Sequence, residues 1–166
     1  MRTSFLIPVY NTEMAVLRLC INSVLKAADD KHEVIVVDDA SDRAETREFL
    51  SRCESSNLQN LKVLRNSENN GVSYSLNKAA KSSTGVLYAP VDHDDLVIPS
   101  GIQAICMYTG YYHAPWTYSD ETQVTENGNL LRHLFKPDYS KQLLRSIMYI
   151  NPVSYTHLTL PTILLV

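Results

Sequence analysis

The segment HEVIVVDD, residues 32–39, carries four consecutive apolar residues, Val34 to Val37, between charged ends. A strand with one face in water alternates apolar and polar side chains. An unbroken β-branched run is wet on neither face, the condition of a central strand in a parallel sheet covered by helices. TSFLIPVY at 3–10, LKVLRN at 61–66 and GVLYAPV at 85–91 repeat this behaviour. Between them lie stretches with helical spacing. Thr12 is placed to cap a helix whose apolar positions Val16, Leu19, Cys20, Val24 and Leu25 recur at three- and four-residue steps. A second helix is expected over roughly Ala44 to Ser55. A third, after the NNG turn, is expected over Val72 to Ser82, with Leu76, Ala79 and Ala80 inward. This alternation, joined by right-handed crossovers, predicts an α/β fold: an open, mostly parallel sheet with helices on both faces.

Beyond residue 95 the pattern loosens. A short helix is expected from Pro99 or Ser100, a strand in APWTYSDE, a hairpin turn at TENGN, and a strand then a helix from about Ser140. The 166 residues, 45% of them hydrophobic, suit one domain with a real core. A net charge of −3 gives no footprint for nucleic acid or for a polybasic membrane patch. Three widely spaced cysteines fit neither a zinc site nor a disulfide framework and read as reduced thiols. No apolar run is long enough for a spanning helix, and FLIPVY is too short for a signal-peptide core. A cytoplasmic protein is expected, free or peripheral at the inner face of the membrane.

In open parallel sheets ligands bind beyond the carboxyl ends of the strands. The polar residues after each apolar run fall there: Pro8 to Asn11, Asp38 and Asp39, Asn66 to Gly71, and Asp92 to Asp95. Asp92 and Asp94 flank His93 in a tight turn, and their oxygens suit a hard divalent cation, Mn2+ or Mg2+, that also binds a substrate diphosphate. The bland reading is an acidic N-terminus for the following helix. Asp38 and Asp39 can accept from a ribose hydroxyl or a base N–H, or cap the helix after them, as Ser41 or Asp42 could. Asn69, Asn70 and Gly71 open a helix whose free N–H groups suit an anion, or form a plain capped turn. Asn77 sits mid-helix, a poor place for an amide without a partner. A P-loop, a GxGxxG fingerprint and a serine elbow are all absent.

Taken in order, IPVYN, VIVVDDASD, NNGVSYSLNKAAKSSTG, YAPVDHDD and YSDETQVTENGNLLRHLFKPDYS resemble the nucleotide-sugar-binding part of a family 2 glycosyltransferase of the GT-A fold. The likeness runs from about residue 4 to about 150 and is similar to bacterial members that build rhamnan-like or O-antigen chains. It implies that Pro8, Tyr10, Asn11 and Glu13 line the nucleotide pocket and that Asp38 or Asp39 meets base and ribose. Gly71 and Asn77 would lie against the donor. Asp92 and Asp94 would be the DxD motif holding the metal on the sugar diphosphate. The donor would be a nucleoside-diphosphate sugar, the acceptor a glycan or lipid-linked sugar, and the transfer inverting. Many members carry Arg just before the position of Asn77; here it is Leu76. The family's general base lies further on, and Asp120, Glu121 and Asp138 do not match its position, so the catalytic base is unassigned and little turnover is expected. Residues 1–152 are expected to form the GT-A domain, incomplete at its C-terminus. VSYTHLTLPTILLV, 153–166, resembles adapter read-through and is expected to be non-native.

Two other readings stay open. A non-catalytic sugar-nucleotide-binding module would differ only in turnover. A receiver-type signalling domain would need an Asp after the third strand, where Asn66 stands, and a strand-end Lys after Asp92, which is lacking.

Overall fold

The computed structural model describes residues 2–56, 58–114, 116–125 and 127–147, and the backbone of 154–155. Four strands and three helices alternate first: β1 Thr3–Val9, α1 Met14–Ala28, β2 Glu33–Asp38, α2 Ala44–Ser55, β3 Leu61–Arg65, α3 Val72–Lys81 and β4 Leu87–Pro90. Then come α4 Pro99–Tyr112, β5 Trp116–Thr117, a hairpin of β6 Glu121–Val124 and β7 Leu130–Leu134, α5 Lys141–Ser146 and β8 Ser154–Tyr155. The main sheet runs β3-β2-β1-β4-β8-β5. Its first four strands are parallel, while β8 pairs antiparallel with β4 and β5. The expected α/β architecture is what forms. Apart from the backbone of β8, the tail 153–166 lies outside the described residues.

From β1 the chain steps to β2 and β3 on one side, then crosses to β4 on the other. Right-handed crossovers in opposite directions put their helices on opposite faces. One core joins Phe5, Ile7, Val9, Val34, Val36 and Ala89 to Leu17, Ile21 and Val24 of α1, Leu50 of α2 and Ile102 of α4. The other joins Leu6, Ile35 and Val37 to Ala79 of α3, with Leu64, Leu76 and Ala80 packed against it. Every residue of β1 and β2 is buried, as the unbroken apolar runs require.

Two expectations for α1 fail. Thr12 does not cap it; Glu13 is the N-cap residue, without a side-chain bond. The buried stripe is Leu17, Cys20, Ile21, Val24, Ala27 and Ala28, whereas Leu19 is exposed. Of the expected positions Cys20 and Val24 are buried and Leu25 packs against the core; Leu19 alone is exposed, and Leu17, Ile21, Ala27 and Ala28 complete the stripe. The three cysteines are free.

Pro8 sits mid-strand in β1 without breaking a ladder. Residues 6 and 8 face β4, but β1–β4 pairing ends at Leu6 opposite Pro90, closed by Val91 N–H to Leu6 O at 3.0 Å. Its missing N–H therefore costs no bond. At the opposite end of the sheet Glu33 ties three strands. Its Oε1 accepts from Ser4 Oγ at 2.6 Å, Thr84 N at 2.6 Å and Gly85 N at 2.8 Å. Burial pushes this carboxyl up, but those hydrogen bonds outweigh it and hold the pKa below the ordinary value. Gly85 is needed here, because a Cβ would run into Ser4 Oγ and lie 2.8 Å from Ser4 N. Gly85→Ala should therefore cost about 1–3 kcal/mol of stability, as overpacking does. A urea titration would read this as a lower midpoint at unchanged slope, and an unchanged midpoint would mean that the strand end yields freely.

Candidate functional site

The crevice of such a sheet opens where strand order reverses, between β1 and β4. Four loops ring that edge, and three are stitched together by hydrogen bonds. After β1, Tyr10 is half-exposed and Asn11 takes a left-handed φ of 51°. Asn11 Oδ1 accepts from Asp42 N at 3.0 Å and Arg43 N at 3.1 Å, and Asn11 N donates to Ser41 Oγ at 3.0 Å. Asn11 thus caps α2 from another loop, where α2's own N-cap residue, Arg43, makes no side-chain cap. Pro8 is buried beneath this loop and Glu13 is exposed at the start of α1.

The acids at the end of β2 are held by the protein's own donors. Asp38 accepts from Ser41 N at 2.9 Å and from Arg65 Nη1 at 2.8 Å. Asp39 Oδ1 accepts from Asn66 Nδ2 at 2.6 Å and Asn70 N at 3.0 Å; Oδ2 accepts from Gly71 N at 2.7 Å. Gly71, at φ +83°, is the N-cap residue of α3 and has no side chain to offer, so Asp39 caps this helix from 32 residues away. Burial raises the Asp39 pKa, but donation from Asn70, Asn66 and Gly71 outweighs it and holds the carboxyl below its ordinary value. Each carboxylate oxygen has two lone pairs, so Oδ2 keeps one acceptor position. Asn66 is itself fixed: Nδ2 also donates to Ser75 Oγ at 3.0 Å, and Lys78 Nζ donates to Asn66 Oδ1 at 2.8 Å. Asn77, on the second turn of α3, has no hydrogen-bond partner for its amide among the described residues.

The turn after β4 is different. Asp95 N donates to Asp92 O at 3.0 Å, closing it. Among the described residues the Asp92 and Asp94 carboxylates accept no hydrogen bond; Asp94 Oδ1 lies 3.9 Å from His93 Nδ1. Burial, then repulsion from Asp92, Asp94 and Glu121, pushes the Asp95 carboxyl up. Buried Cys20 lies beneath, its thiol pushed up to about 12 by burial and by Asp95, Asp94 and Asp92, and it donates to Asp92 O at 3.4 Å. Two buried side-chain polar atoms have no partner among the described residues, Thr12 Oγ1 and His93 Nδ1. They belong to the two loops that flank the reversal point. No group of three or more metal-ligating side chains is assembled among the described residues. Asp92 and Asp94 offer two oxygen donors, a set that suits a cation completing its shell with phosphate and water rather than a protein cage.

The hairpin acids are spoken for. Lys136 donates from its backbone N to Asp120 Oδ1 at 2.8 Å and from Nζ to Glu121 Oε2 at 3.2 Å. The structure thus joins the loops after β1, β2 and β3 into one network. No hydrogen bond or ion pair among the described residues links that network to the carboxylates of Asp92 and Asp94. Sequence reading noted Asn66 only for its position, took Cys20 for a core position only and passed over Ser75, Lys78 and Ser23; the signal for Asn66 was a polar residue directly after an apolar strand.

A mostly parallel sheet with one order reversal and polar loops at its carboxyl edge defines a doubly wound α/β domain. The chain belongs to the glycosyl transferase family 2, whose family model matches residues 4–154. It is 30% identical over 149 residues to the uncharacterized protein y4gI of Sinorhizobium fredii, covering 89% of this chain and 16% of the relative. It is 26% identical to the O-antigen biosynthesis protein RfbC of Myxococcus xanthus, covering 89% of this chain and 12% of that protein. Among solved structures it is similar to S. aureus TarS 1-349 in complex with UDP-GlcNAc, at 25% identity and a TM-score of 0.63, over 80% of this chain and 37% of that one. The chain thus spans well under half the length of these relatives. No helix among the described residues is long and apolar enough to cross a membrane.

The two acid clusters should respond oppositely to neutralisation. Asp39→Asn loses acceptors for buried donors and should cost about 1–3 kcal/mol at pH 7. The contribution of Asp39 is present above the ordinary carboxylate pKa of about 3.9 and is lost as pH falls through its lowered folded value. Asp95, with a raised folded pKa, destabilises the fold as pH rises from about 3.9 through that value. Asp95→Asn should therefore raise the thermal midpoint at pH 7, with the gain fading toward pH 4. Melting curves of both variants across this range check the signs.

Proposed function

We propose that residues 1–152 are the donor-binding domain of a glycosyltransferase that takes a nucleoside-diphosphate sugar at the β1–β4 reversal, with a divalent cation, Mn2+ or Mg2+, held by Asp92 and Asp94. One observation carries this reading: Asp38 and Asp39 are bonded by the protein's own donors, whereas Asp92 and Asp94, at the same edge of the sheet, accept no hydrogen bond among the described residues. Two exposed carboxylates without internal donors are free to coordinate a hard divalent cation. When bound, that cation would offset the charge that grows on the leaving diphosphate.

The chain's own residues orient the donor. Asp39 Oδ2 has one acceptor position for a base N–H or a ribose hydroxyl. Pro8, Tyr10 and Glu13 line the nucleoside side, with Asn11 acting mainly by holding the loop at Ser41 to Arg43. Gly71 and Asn77 lie toward the donor on α3, and Asp92 reaches both donor and metal. The UDP-GlcNAc complex of TarS supports a uridine diphosphate donor, and the likeness to RfbC supports a surface glycan as acceptor, met at the inner face of the membrane. Inverting transfer needs a base on the acceptor hydroxyl. That role is assigned to none of Asp120, Glu121 and Asp138, whose positions do not match the family's base, and little turnover is expected of the chain.

Calorimetric titration with UDP, with and without Mn2+, tests this on the whole chain, on Asp94→Ala and on a chain ending at Pro152. Mn2+ should tighten UDP binding, Asp94→Ala should lose most of that gain, and the shortened chain should match the parent. Equal affinity with and without metal, or an unaffected Asp94→Ala, would reject the role given to the acidic turn.

A further inference from the structure

The segment 92–97 carries mutually repelling carboxylates and is mostly exposed, yet it is tied to the body at both ends by one helix. Cys20 Sγ donates to Asp92 O at 3.4 Å, the same carbonyl that Asp95 N uses to close the turn. At the other end Val97 N donates to Ser23 Oγ at 3.0 Å, and the Ser23 hydroxyl donates in turn to Cys20 O at 2.8 Å. Among the described residues these are the two hydrogen bonds that join 92–97 to the rest of the protein. Cys20 and Ser23 stand three residues apart, on one face of α1. That helix does not shift easily, since Leu17, Ile21 and Val24 pin it into the core.

We propose that Cys20 and Ser23 are positioning residues for donor binding: α1 clamps both ends of the acidic turn and holds Asp92 and Asp94 together before ligand and cation arrive. This rests on the cation reading given above. Without the clamp, repulsion would spread the turn, and binding would first have to gather its carboxylates. The cost would fall on the metal-assisted part of donor affinity and leave the nucleoside contacts, anchored on Asp39, untouched. Ser23 is the sharper probe, because it is only partly buried and touches no ligand in this scheme.

The test is calorimetry of UDP binding, with and without Mn2+, together with thermal melting, on the full chain and on Ser23→Ala, Ser23→Thr, Cys20→Ala and Asp94→Ala. Ser23→Ala and Cys20→Ala should each reduce the Mn2+-dependent gain in UDP affinity roughly tenfold, the scale of losing an outer support of a metal site. Ser23→Thr keeps the hydroxyl and should restore the gain, and metal-free UDP affinity should not change in any of the three. If Cys20→Ala does not fold, the two Ser23 variants decide alone. The proposal is overturned if Ser23→Ala keeps the full Mn2+ gain, or if metal-free and metal-assisted binding fall together. A parent chain with no Mn2+ gain defeats the cation reading itself, and the proposal with it. A gain lost in Asp94→Ala but kept in Ser23→Ala defeats the clamp alone.

Discussion

The buried charge of Asp39 is the point on which the ligand edge depends. A carboxylate that deep is tolerable only with several donors. It finds them in Asn66 at the end of β3 and in the first amides around α3. One side chain at the tip of β2 therefore fixes where the next loop ends and where the third helix begins. Asn11 does the same for α2 from the tip of β1. Each of these two helices is capped from the end of the strand one earlier than the strand leading into it, rather than by its own neighbouring residues. The loops are consequently set by the sheet and need no ligand to order them.

The two ends of the sheet show the same electrostatics with opposite outcomes. At the amino end, Glu33 is surrounded by donors from β1 and from the residues leading into β4, and its charge stays inside the protein's own bonding. At the carboxyl end, Asp92 and Asp94 are exposed and accept no hydrogen bond among the described residues, and burial together with their proximity raises the pKa of Asp95.

Much of this was legible in the chain. The unbroken run Val34 to Val37 gave β2 its place at the heart of the sheet, α2 spans the expected Ala44 to Ser55, and TENGN turns the hairpin. Ser140 caps α5, accepting from Leu143 N at 3.2 Å. What was not legible is long-range capping. Sequence spacing points to local caps, and it offered Thr12, Ser41 or Asp42; the caps in use come from Asn11 and Asp39, some 32 residues from the amides they bind. On α1 the expected Cys20, Val24 and Leu25 do face the core, and only Leu19 of the named positions turns out to be exposed. Asp38–Asp39 and Asp92–Asp94 look alike as text, and only the donors folded around them tell them apart.

Pro8 has a consequence of its own. Carrying the β1–β4 register two residues further would set it opposite Asp92, and the next rung would need an amide hydrogen that an imino acid does not possess. The two strands therefore fork at a chemically fixed station. Zippering cannot creep forward to draw Asp92 into the sheet, so the mouth between them stays open by the covalent structure of one ring.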